Sequence, residues 1–150
     1  MAGRKGRTTS GGKSVAAVIA IVFVASVFVI LRSVPEKVSA VSQDGLVHAS
    51  GLTRSSGTLM IERIDHVETI QSAVSPVYEV SLTDSGHMDD GELIMMIPET
   101  DSLSDIVLYT FDRETLSWVE LPTLFDLTSP SVSVPLDFTG SLLLVAGERE

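Results

Sequence analysis

Cysteine is missing from all 150 positions. That absence removes a disulfide framework, a thiol nucleophile, a zinc–thiolate site and a lipid anchor on cysteine. It leaves the compartment open, because a β-domain of this size can be stable outside the cytoplasm without disulfides. Basic residues are scarce as well: 10 Lys and Arg stand against 20 Asp and Glu. Such an acidic chain offers no basic face for phosphates, which argues against nucleic acid as a partner. Also missing are a Gly-x-Ser-x-Gly nucleophile elbow, a paired acid/base signature and the Asp-x-Asp-x-Asp-Gly spacing of a calcium loop. The sequence therefore assigns no catalytic residue, no cofactor-binding residue and no metal ligand, and no enzyme activity is expected.

The charge that is present is divided unevenly. Residues 1–13 hold Arg4, Lys5, Arg7 and Lys13 and no acid, whereas residues 32–150 hold every Asp and Glu and carry a net −14. Between them, Ser14–Leu31 is an uncharged apolar run of 18 residues. As a helix at about 1.5 Å per residue it spans roughly 27 Å, close to the thickness of a hydrocarbon core. Its many β-branched residues are mediocre helix formers in water, but in lipid the cost of unsatisfied backbone groups enforces a helix. The basic cluster outweighs Arg32 and Lys37, so the N-terminus is expected in the cytosol and the remainder outside. A cleaved secretory signal is the alternative, with Val38-Ser39-Ala40 resembling a small-residue cleavage site. The run is long for a signal core, and Ala40 lies nine residues beyond its end. Both readings put residues 41–150 outside the cytosol. Small residues at Ala16, Ala17, Ala20, Ala25 and Ser26 allow close helix packing, but no Gly-x-x-x-Gly pattern is present.

Residues 1–13 read as a short basic tail, and residues 32–57, broken by Pro35, Gly45, Gly51 and Gly57, as a stalk or edge strands. From Thr58 to Glu150 the pattern is mainly that of strands. Leu59–Ile61 is short and β-like, and Val77–Leu82 alternates with Tyr78, Val80 and Leu82 on one face. Leu93–Ile97 is a continuous apolar run closed by Pro98, the signature of a central strand buried on both faces. Ile106–Phe111 and Leu116–Leu121 flank the polar turn Asp112–Thr115 and predict a hairpin. Val132, Val134 and Leu136 alternate around Pro135, which suggests an edge, and Ser141–Ala146 is a last strand. Only Asp65–Val74, through Val67, Ile70 and Val74, has helical spacing. The expected fold is mainly β: an antiparallel β-sandwich preceded by a single N-terminal transmembrane helix.

The phrases Ser75-Pro-Val-Tyr-Glu-Val, Gly91-Glu-Leu-Ile-Met-Met-Ile-Pro98, Tyr109, Phe111-Asp112 and Trp118-Val-Glu-Leu-Pro122, followed by Val134–Gly147, occur in a familiar order. Over residues 75–147 the chain resembles the β-sandwich modules of ankyrins, netrin receptors and bacterial surface proteins. The resemblance implies a structural or protein-binding module. Some such modules cut their own chain at a His-Phe-Ser sequence, where histidine assists serine. The matching residues here are Asp137-Phe138-Thr139. Thr139 keeps a hydroxyl, but the imidazole is gone from this motif, and self-cleavage is not expected.

The three histidines are His48, His66 and His87, and an inert surface pair is the expectation for Asp65-His66. Asp84–Glu92 has the oxygens of a cation loop but not the spacing, and reads as a solvated hairpin loop. Tyr78, Met95, Met96, Tyr109 and Trp118 fall within strand patterns and are expected in the core. Glu99, Asp101 and Asp105 read as a solvated loop that guards strand edges. The functional expectation is a non-enzymatic interaction or structural module held at the cell surface. Its partners would be membrane lipid through residues 14–31 and a protein the sequence does not name. An accessory carbohydrate- or cell-wall-binding subunit, working with a separate hydrolase, is the alternative, and an exposed row of aromatics would favour it.

Overall fold

In the computed structural model, residues 34–98 and 103–149 are described. The predicted membrane segment, the basic tail, Glu99 and Asp101 lie outside them. The strands are β1 Glu36–Val41, β2 Val47–Thr53, β3 Leu59–Ile64, β4 Val77–Leu82 and β5 His87–Met96, then β6 Ile106–Asp112, β7 Ser117–Glu120, β8 Leu124–Asp126, β9 Ser131–Thr139 and β10 Ser141–Glu148. Among the described residues, the helical elements are single 3-10 turns at Thr83–Ser85 and Leu103–Asp105.

The strands form two five-stranded sheets, ordered β1-β2-β5-β9-β8 and β3-β4-β10-β6-β7, with every pairing antiparallel. Alternation is what drives them together. Val132, Val134, Leu136 and Phe138 point inward from β9, while Pro135, Asp137 and Thr139 stay exposed. They meet Tyr78, Val80 and Leu82 of β4 and Leu108 and Leu144 of β6 and β10 in one core shared by both sheets. Tyr78, Met88, Leu93, Met95, Leu108 and Leu144 are fully buried there. Burying a side chain of this size contributes about 1.5–3 kcal/mol, so this core holds the sheets face to face.

Residues 36–53 are β1 and β2, with Val47 and Ala49 buried in the core. Leu93–Ile97 is central, lying between β2 and β9, but it is not buried on both faces: Leu93 and Met95 point in, while Ile94 and Met96 are half-exposed. Pro135 is tolerated because β8 pairs only with residues 131–133, leaving no outer neighbour where the proline lacks its N–H. The hairpin turn falls one residue later than expected, on Arg113–Leu116, with Asp112 closing β6.

Asp65–Val74 is not a helix. This segment runs irregularly over the outer face of the second sheet, where Val67, Ile70 and Ala73 pack on Val77, Val107, Tyr109 and Val145. It then continues beside β10 through Val74 N–H to Ala146 O (2.9 Å), Glu148 N–H to Ser72 O (3.0 Å) and Ala146 N–H to Ser75 Oγ (2.9 Å). Trp118 belongs to this outer cluster rather than to the core between the sheets. It is half-buried, donates from its indole N–H to Glu68 O at 3.2 Å, and meets Phe111 edge to face at 5.4 Å.

Candidate functional site

The acidic stretch 84–92 is mostly strand, not loop. Only Thr83–Ser85 turns, and β5 begins at His87 with Met88 fully buried. Between Met88 and Gly91 the register with β9 slips, so that Asp89 and Asp90 together oppose Asp137. Asp90 takes φ 47°, and Gly91 must be glycine because a Cβ would lie 2.2 Å from Leu136 O. Asp89, Asp90 and Asp137 line a shallow cleft of about 300 Å³ with Arg54, Pro35 and Leu52. A second open cleft, of about 520 Å³, is lined by Gln43, Asp44, Ile61, Glu62, Arg63 and Asp65. Among the described residues no three acids or histidines converge as a metal would require.

Beside the bulge lies a polar chain that sequence reasoning missed. His87 and Thr139 are direct cross-strand partners, and His87 Nδ1 is 2.8 Å from Thr139 Oγ1. His87 Nε2 is 3.0 Å from Asp89 Oδ1, two residues along the same face. The imidazole absent from the Asp137-Phe138-Thr139 motif is thus supplied by a neighbouring strand, something only the β5–β9 register reveals. Hydroxyl, imidazole and carboxylate stand in the order of a nucleophile, its base and an orienting acid. Half of the His87 side chain is exposed (52%), and Gly140 N–H is already bonded to Gly86 O. An acyl-transfer site needs free donors aimed at the developing oxyanion and shelter from water. The chain therefore reads as a cross-strand polar ladder on a solvated face.

The aromatics separate by depth. Tyr78 is fully buried, its hydroxyl donating to Asp44 Oδ2 at 2.7 Å. Tyr109 is 9% exposed and donates to Glu148 O at 3.3 Å. No row of exposed aromatics stands on either sheet face among the described residues.

What the fold does expose is the β8 edge. Pro122 cannot donate to a ladder and ends the hairpin. Thr123 Oγ1 then accepts from Leu108 N–H (2.9 Å) and donates to Leu121 O (2.9 Å), carrying the chain from the second sheet to the first. There Leu124, Phe125 and Asp126 pair with Ser133, Val132 and Ser131. Phe125 shares the inner face with fully buried Val132 yet is 51% exposed at the margin of the sheet. Leu124 and Leu127 are 66% and 78% exposed. Asp126 accepts from Thr128 N–H at 2.8 Å, and that bond holds its carboxyl below the usual carboxylate range. The other sheet edges carry opposite charges: Glu36 and Lys37 on β1, Glu62 and Arg63 on β3, and on β7 Glu120, whose carboxylate meets Arg149 at 3.1 Å. Charges of this kind discourage edge-to-edge pairing; β8, like β7, carries one charged residue, but Asp126 meets no cation among the described residues.

Two packed antiparallel sheets with an uncovered apolar edge define a β-sandwich module. No family model, curated protein or solved structure matches the chain.

Proposed function

We propose that this chain is a membrane-anchored β-sandwich that acts outside the cytoplasm by binding another protein, without catalysis of its own. Residues 14–31 form the anchor in this reading, with residues 1–13 cytosolic and the sandwich extracytoplasmic; the basic tail, the uncharged run and the acidic remainder support it. The similarity of residues 75–147 to modules of ankyrins, netrin receptors and bacterial surface proteins points the same way. One observation carries the binding role: Leu124, Phe125 and Leu127, on and just beyond an edge strand, put three exposed large apolar side chains within four residues, whereas Val34, Val41, Met60, Val74, Leu116 and Val119 are exposed singly or in pairs. Of the three aromatics that separate the readings, buried Tyr78 and Tyr109 favour protein over carbohydrate as the partner, because sugar-binding faces display their aromatics, while Trp118 is only half-buried.

A photo-crosslinking residue placed at Leu127, in cells that make the full chain, tests this. A discrete protein adduct is expected there and not from the same residue at Glu92, an exposed position on β5. Adducts of equal yield at both positions, or none from β8, would refute a protein-binding edge.

A further inference from the structure

Resting on that reading, we infer that β8 binds its partner by strand addition, taking an extended segment in which apolar and basic residues alternate. Among the described residues β8 ends the first sheet, and no described strand lies beside its outer backbone groups. Its partners on β9 fix its two faces. Phe125 lies opposite buried Val132 and looks inward, whereas Leu124 and Asp126 lie opposite Ser133 and Ser131 and look outward. A sixth strand would therefore set one set of alternate side chains beside Phe125, extending the core over its uncovered half. The other set would stand beside Leu124 and Asp126 in solvent. Asp126 is the one charged side chain of β8, and residues 121–129 contain no base. Lysine or arginine on the solvent-facing side of the incoming strand complements that charge.

A second copy of this chain fits poorly. Its own β8 would bring another Asp126 to a chain already at −14 over residues 32–150. A strand of three residues is also far short of the roughly 800 Å² per partner that a stable dimer buries. A short segment of a different protein needs no such area, since main-chain hydrogen bonds supply much of the binding.

The probes are two synthetic octapeptides, acetyl-(Lys-Val)4-amide and acetyl-(Glu-Val)4-amide, titrated against the full chain in neutral detergent and followed by amide hydrogen exchange. The lysine peptide should bind and slow exchange at residues 124–127, with the glutamate peptide about tenfold weaker or worse. Phe125→Lys should weaken the lysine peptide by about tenfold. Leu127→Lys should weaken it too, and because Leu127 is 78% exposed that variant keeps its fold even if the first does not. Equal binding of both peptides, or protection at another edge, overturns the proposal. So does protection of 124–127 that appears without peptide and rises with protein concentration, which would mean self-pairing. Failure of the lysine peptide alongside a specific protein crosslink at Leu127 would remove strand addition while leaving the interaction reading intact.

Discussion

Tyr78 is the residue on which burial and polarity meet most sharply. Its ring is fully buried, and its hydroxyl reaches Asp44 in the β1–β2 connection. Burial, followed by the Asp44 hydrogen bond and charge, pushes the phenol well above its ordinary value of 10.0. Partial burial raises the Asp44 carboxyl, but bonds from the Ser42 and Tyr78 hydroxyls and Leu46 N–H, with the charge of Arg63, outweigh it and hold the carboxyl below 3.8. The two signs define a plateau. A depressed carboxyl stabilises the fold above 3.8, and that contribution is lost as pH falls through its folded value. A raised phenol stabilises the fold below 10.0, and that contribution fades as pH rises above it. Tyr78→Phe should lower stability by about 1 kcal/mol at neutral pH, modestly because Asp44 keeps its solvent. It should also flatten the loss above pH 10.0, which urea unfolding across pH will measure. The inward position of Tyr78 was legible from alternation alone. Its partner was not, because Asp44 lies 34 residues away and only the packed sheets bring them together.

At the scale of elements, the segment 65–76 shows where periodicity misleads. Val67, Ile70 and Val74 have helical spacing, yet Val67 and Ile70 reach the sheet from an irregular chain and Val74 is 41% exposed. The segment closes on Gly147, where a Cβ would lie 2.4 Å from Ile70 Cδ1. Gly147→Ala should force Ile70 aside, cost about 1–3 kcal/mol, and red-shift the fluorescence of the sole tryptophan as Trp118 loses its cover. Trp118→Ala should cost about 2 kcal/mol in urea unfolding, less than the 3–5 of a fully buried tryptophan, because the ring is only half-buried. The start of β5 was hidden for a related reason. The bulge at Asp89-Asp90 breaks the two-residue period, so Met88 and Gly91, both inward, are three apart and the stretch reads as polar loop. The β4 and β9 patterns were legible because nothing interrupts their alternation, and β6 and β10 because each is an apolar run bounded by turn residues.

Among the described residues the sheets leave four edges, and three carry charges of both signs or an ion pair while β8 exposes Leu124 and Phe125 beside the single charge of Asp126. No run of residues announces this: Leu124-Phe125 reads as an ordinary apolar pair until the strand order places it last. A sandwich that binds at such an edge acts where its partner is, which makes topology the central claim. Protease added to intact cells, followed by mass analysis of what remains, tests it directly. Removal of residues 41–150, with a membrane-held fragment that retains the basic N-terminal tail, is the expected result. Complete protection of the sandwich in intact cells, with digestion only after lysis, would contradict it.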